Sequence, residues 1–297
     1  MEKKKRNTAA VPGGELMAVD NICAQYWSDR PEHAHVSADE TGIRQLDSIG
    51  KSLSDYAIIA ETGRGGSGTV YKAQSKVDGR VYALKRINMK HIKKANREHC
   101  LQEVRMLKSM KHPQILECFG SFIEGEDLYI VTEFADHGDL DKLIKHQISK
   151  NRMIGEGEVW EILWQIALGL LHLHANSVIH RDIKTLNILL TSGKRVKIGD
   201  LGESVLYTKD KLSRVAGTPL YLPPEVIKGE GYDPRVDVWG LGCVGYQLTA
   251  LAPPFAGENL QTLFDNVTGK PPKEIPWYYC AIHSSRVAHT RSRCPDS

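Results

Sequence analysis

The rhythm of hydrophobic and polar positions changes twice along this chain. Residues 1 to about 54 are polar, with scattered Gly, Pro, Ser and charges and no sustained period. That pattern predicts a disordered leader. From Tyr56 the rhythm becomes strand-like. Tyr56-Ala57-Ile58-Ile59-Ala60, Thr69-Val70-Tyr71-Lys72-Ala73 and the run from Val81 to Ile87 predict three strands, with a turn at Asp78-Gly79. Between residues 95 and 110, Leu101, Val104 and Leu107 recur at helical spacing. Two further strands are predicted at about 117–122 and 128–134. Beyond Gly138 the chain reads as mainly helical, with a long apolar helix near 156–175. The expected fold class is α+β, a small antiparallel β lobe with one main helix followed by a larger, mostly helical lobe. Two lobes of different class leave a cleft between them, a usual place for a small ligand.

Composition narrows the partners. The chain has 297 residues, 41% hydrophobic and 25% charged, enough apolar material for a sizeable core. The formal charge of +3 does not call for nucleic acid. The basic run Lys3-Lys4-Lys5-Arg6 reads as a solvated tail and is not followed by the apolar core of a secretory signal. The six cysteines, Cys23, Cys100, Cys118, Cys243, Cys280 and Cys294, are widely spaced and form no CxxC pair. They fit reduced thiols in a cytoplasmic or nuclear protein. The most apolar segment, Val238 to Ala252, is interrupted by glycines, Gln247 and Thr249, and predicts a buried helix, so no membrane is expected.

Three segments carry chemistry. The first is Gly63-Arg64-Gly65-Gly66-Ser67-Gly68. A GxGxxG run opening a helix would point to a dinucleotide fold; here it lies between two predicted strands, which favours a flap whose backbone N–H groups cover phosphates. The second is Lys85, flanked by Ala83, Leu84 and Ile87. A lysine in a half-buried strand needs an anionic partner. Glu103 is the candidate and Glu98 its rival; Glu103 shares the inward register of Leu101, Val104 and Leu107. The third is His180-Arg181-Asp182-Ile183-Lys184-Thr185-Leu186-Asn187 between the apolar runs Val178-Ile179 and Ile188-Leu189-Leu190, followed by Asp200-Leu201-Gly202. Charged residues pinned between strands form a rigid platform, and the oxygens of Asn187 and Asp200 on adjacent strand ends suit magnesium.

Together these residues resemble the protein kinase signature set of glycine loop, strand lysine, HRDxxxxN and DFG. The resemblance implies a bilobal kinase fold that uses ATP and Mg²⁺. It implies that Asp182 accepts the substrate hydroxyl's proton or orients that hydroxyl, and that Lys184 neutralises charge on the transferring phosphoryl group. Lys85, held by Glu103, would grip the α- and β-phosphates, and Asn187 and Asp200 would hold the metal. Gly63, Gly65, Gly68, Val70, Ala83, Lys85, Glu133, Ala135 and Leu189 would contact the nucleotide, with Thr132 as gatekeeper and Glu133 to Ala135 as the adenine-contacting hinge. Arg181 would brace the activation segment and Asp237 the catalytic loop backbone. Lys184 and Gly217-Thr218-Pro219-Leu220-Tyr221 resemble enzymes that act on Ser or Thr of protein substrates.

Within that group, Ile183 to Asn187, Leu128 to Val131 with Gly138-Asp139-Leu140, and Lys111-His112-Pro113-Gln114-Ile115 are similar to the NIMA-related (Nek) kinases. That similarity implies possible association with microtubules, centrosomes or cilia. Thr208 and Ser213 lie where phosphorylation could pair with Arg181. Leu201 stands where phenylalanine is usual, and Pro223 where a small residue is usual. After about Pro276 the pattern fades, which implies incomplete C-terminal helices, an atypical tail over 277–297 and no arginine to pair with Glu225. The expected division is a leader over 1–54 and a kinase domain over 55–276, split near 134/135 into N- and C-lobes. The alternative reading is a nucleotide-binding pseudokinase or truncated scaffold.

Overall fold

A computed structural model describes residues 49–65, 68–90, 104–207, 212, 216–276 and 279. Most of the predicted leader and tail, Glu98, Glu103, Thr208 and Ser213 lie outside the described residues.

The small lobe is a five-stranded antiparallel sheet in the order β1-β2-β3-β5-β4. Its strands are β1 (Tyr56–Gly65), β2 (Gly68–Ser75), β3 (Val81–Asn88), β4 (Cys118–Glu124) and β5 (Asp127–Glu133). The sequence pattern ends the first strand at Ala60, whereas β1 runs on to Gly65. Pairing with β2 continues through two register irregularities, so Gly63 faces Val70 and Gly65 faces Gly68. The glycine stretch is therefore the tip of a paired hairpin. Residues 104–109 are helical and pack Val104 against the sheet residues Ile87, Leu128 and Ile130.

The large lobe holds α1 (Leu140–Ser149), α2 (Glu156–Ala175), α3 (Pro224–Ile227), α4 (Arg235–Ala250) and α5 (Leu260–Gly269). The Asp139 side chain caps α1 by accepting from Lys142 N at 2.8 Å, and Asn259 caps α5 from Thr262 N at 2.9 Å. The apolar residues predicted at 156–175 form α2 with those bounds. Its inner face buries Val159, Ile162, Ile166, Leu170 and Leu173, each worth about 1.5–3 kcal/mol of transfer from water. Of the segment predicted as a buried helix, Val238 to Ala250 lies in α4; Cys243, Val244 and Leu248 are buried, whereas Val238 is exposed and the last two residues follow the helix. Two short ladders, β7 (Ile188–Thr191) with β8 (Arg195–Ile198) and β6 (Val178–Ile179) with β9 (Val205–Leu206), clamp the segments between them.

Leu201 is 1% exposed and sits in the main core, so leucine fills the site. Pro223 is the N-cap of α3 and Pro224 its first residue, where a missing N–H removes no helical bond. Glu225 is half-buried and makes no ion pair among the described residues. Tyr279, inside the atypical tail, is fully buried in the main core and its hydroxyl donates to Ile154 O at 2.7 Å.

Candidate active site

The catalytic segment is built from the inside outward. Asp237 on α4 is 1% exposed and spends its carboxylate on backbone. Oδ1 accepts Arg181 N–H at 2.8 Å and Oδ2 accepts His180 N–H at 2.9 Å, while His174 Nε2 lies 2.8 Å from Oδ2. Arg181 is thereby held at φ 67°, a left-handed conformation that costs a residue with a side chain about 1–3 kcal/mol. His180 is fully buried, and its Nδ1 accepts Asp182 N–H at 3.2 Å. The other ring nitrogen, Nε2, must then carry the proton, and it donates to Gly199 O at 3.0 Å. One imidazole thus ties the catalytic loop to the strand end that carries Asp200.

Asp182, 5% exposed, is the hub. Its Oδ1 accepts from Thr218 N at 3.0 Å and Thr218 Oγ1 at 2.7 Å. Its Oδ2 accepts from Lys184 Nζ at 2.5 Å and Asn187 Nδ2 at 3.1 Å. Lys184 also donates to Thr218 Oγ1 at 2.8 Å. Asn187 Nδ2 gives a second bond to Asp182 O at 2.8 Å. Both partners are acceptors, so the amide nitrogen faces Asp182 and the amide oxygen is left as a donor atom for a cation. Gly217 has φ 104°, and a Cβ there would come within 2.5 Å of Arg181 O, so glycine is what lets Thr218 reach Asp182.

Lys85 and Asp200 form a second hub. Lys85 Nζ lies 3.0 Å from Asp200 Oδ1. Burial alone would push the Asp200 carboxyl up, but the Lys85 ammonium outweighs it, with Lys184 adding to the effect, and brings it down to about 2. An ionised carboxylate and an amide oxygen are hard donors that fit Mg²⁺ sharing its shell with phosphates and water. Among the described residues no cluster of three or more His, Cys, Asp or Glu could hold a metal alone.

Between the lobes lies a cleft of about 640 Å³. Of the residues expected at a nucleotide, Gly63, Val70, Ala83 and Lys85 line its roof. Glu133, Ala135, Leu189, Asn187 and Asp200 line its hinge and floor, and Thr132 stands at its back. Gly65 and Gly68 lie in the same hairpin outside this lining. Gly68 answers to its own sheet: its φ is 131° and a Cβ would meet Arg86 O at 2.3 Å. The expected contact between Lys85 and Glu103 involves a residue outside the described ones.

Several contacts have no local signal in the sequence. Lys197 on β8 reaches Glu133 Oε1 at 2.6 Å, joining the hinge to the strand that leads to Asp200. Thr185 Oγ1 lies 3.1 Å from Tyr221 OH, which donates to Gln247 at 2.6 Å. Arg181 bonds Glu203 O and Tyr232 OH. Only His174 could have been suspected, from its place in the last turn of a helix that runs into the catalytic loop.

This fold gathers two lysines, an amide and two carboxylates where its two lobes meet. Residues 56–289 match the protein kinase domain family, and the chain belongs to it. It is 40% identical to the human (Homo sapiens) serine/threonine-protein kinase Nek5 over 71% of this chain and 30% of that protein. It is 36% identical to Nek1 of Mus musculus over 78% of this chain and 19% of that protein. It is 37% identical to an Aurora kinase of Yarrowia lipolytica over 72% of this chain and 56% of that protein. The chain thus spans less than a third of the two Nek relatives. No helix among the described residues is long and apolar enough to cross a membrane.

Proposed function

We propose that this chain is a serine/threonine protein kinase that transfers the γ-phosphoryl group of Mg-ATP to Ser or Thr hydroxyls of protein substrates. The observation that carries this is the cluster of Lys184, Thr218 and Asn187 around the Asp182 carboxylate, beside the Lys85–Asp200 pair. Bound Mg-ATP would supply the phosphoryl group; Asn187 and Asp200 would hold its metal and Lys85 its phosphates. The substrate hydroxyl bonds to the Asp182 carboxylate, which orients it in line with the γ-phosphorus. The hydroxyl oxygen bonds to phosphorus, the bond to the leaving oxygen of ADP breaks, and the proton passes to Asp182. Lys184 offsets the negative charge beside that carboxylate. Catalysis on this reading is positioning and electrostatics.

Residues 55–276 are proposed to carry the catalytic groups, with the two lobes meeting after β5. Cytoplasmic residence with access to centrosomes, cilia or microtubules is an expectation from the motif resemblance alone, and imaging of a tagged chain tests it. The alternative, a nucleotide-binding pseudokinase or scaffold, is disfavoured because each predicted polar group around Asp182 is present and engaged. A radiolabelled transfer assay on a basic protein substrate tests the proposal. Asp182→Asn should lower turnover about 10³-fold while Mg-ATP still raises the melting temperature. Turnover of the wild type no higher than that of Asp182→Asn sinks it.

A further inference from the structure

Helix α2 is apolar on two opposite faces. One face enters the core through Val159, Ile162, Ile166, Leu170 and Leu173. The other carries Trp160, Trp164 and Leu171 at spacings of four and seven, which stack on one stripe of an α-helix. Trp160 is 43% exposed, Trp164 65% and Leu171 66%. Ala167 and Leu168 are half-buried and Ala175 exposed along the same stripe. Glu161, exposed beside Leu168, borders it, and no Lys, Arg or Asp lies on the helix between Trp160 and Ala175. Helices that are hydrophobic all round are normally covered on every side, and tryptophan is the residue that most often anchors an interface.

We propose that this stripe is the contact of a two-fold dimer of the chain, α2 packed antiparallel on α2 of a second copy. Size complementarity supports the choice. An antiparallel pairing centred between positions 165 and 166 sets Trp160 against the second copy's Leu171 and Trp164 against its Ala167. Each tryptophan then meets a smaller side chain, and the helix dipoles oppose. Area supports it too. The exposed parts of the three large side chains amount to roughly 400 Å² per chain. A two-fold axis doubles that, and with the flanking alanines and Leu168 the total reaches about 1,000 Å², the lower bound for a specific interface. The chain's own residues 280–297 are an unsuitable cover: they carry Arg286, Arg291 and Arg293 and no apolar run to match the stripe.

Sedimentation equilibrium of the full chain tests this. The wild type should move from 33.2 kDa toward twice that mass as its concentration rises to about 100 µM. Trp164→Glu should stay at the monomer mass throughout, with an unchanged circular dichroism spectrum and melting temperature measured at a dilution where both are monomers. If that variant fails the folding check, Leu171→Glu takes its place. Trp160→Lys and Leu171→Glu should each weaken association, and both together in one chain should recover part of it, because the register sets those positions opposite each other. A wild type that stays monomeric, a dimer that survives Trp164→Glu, growth beyond a dimer, or no recovery in the double variant would each overturn the proposal. Phosphate transfer is measured separately, so loss of the dimer and absence of kinase activity remain distinguishable.

Discussion

The glycine hairpin and the catalytic loop face the same cleft, but they are held in different ways. The hairpin is a ladder tip, β1 on β2, whose cleft-lining Gly63 has no other group within 4 Å of where a Cβ would stand. The catalytic loop is tied by side chains from three directions: Asp237 from α4, Thr218 from the activation segment and His180 across to Gly199. The difference matches the two tasks that the proposed function assigns. A flap that covers a ligand must open, so its opening free energy should be low. A group that orients a hydroxyl must hold its geometry to within a fraction of an ångström, so its donors and acceptors are saturated.

Substitutions can break or sharpen that contrast. The largest effect should come from Asp237→Ala. It leaves the N–H groups of His180 and Arg181 buried without an acceptor and should cost about 3–5 kcal/mol in a urea unfolding curve. A loss under 1 kcal/mol would mean the loop is held otherwise. Thr218→Val comes next. It removes an acceptor from Lys184 and a donor from Asp182 without changing side-chain shape, and should lower kcat about 10- to 100-fold with little change in KM for ATP. In the hairpin, Gly68→Ala should destabilise by about 2 kcal/mol, because its φ and its approach to Arg86 O both demand glycine. Gly63→Ala should change stability by less than about 0.5 kcal/mol, so any rise in KM for ATP would report nucleotide contact alone. The last effect is read in acid. Asp200 has a folded pKa near 2 against an ordinary 3.8. Its contribution is fully present above pH 4 and is lost as the pH falls toward 2. Asp200→Asn should therefore flatten the acid limb of a stability profile, and a profile of unchanged steepness would exclude Asp200 as its source.

The same contrast explains what could be read without a structure. Asp182, Lys184 and Asn187 share one segment of eight residues, so their clustering was visible as a motif. The strands were visible through alternation, although pairing carried β1 five residues beyond its apolar run. Contacts between distant segments were not visible. Nothing near Glu133 announces Lys197, and Tyr221 meets Thr185 and Gln247 only because α4 passes beneath the catalytic loop. Gly68 shows a subtler gap. The sequence offered nucleotide approach as its reason, while the geometry supplies another, a backbone carbonyl from the neighbouring strand.

Tyr279 bears on how the polypeptide can be shortened. Its ring fills space in the main core, and its hydroxyl is the donor for Ile154 O, 125 positions earlier. Trimming at residue 276, where the motif-bearing region ends, would open a hole the size of a phenol beside the start of α2 and strand a carbonyl inside it. The practical boundary of the folded unit is set by an aromatic plug with no catalytic role, and a protease or an expression design that respects only the motifs would cut on the wrong side of it.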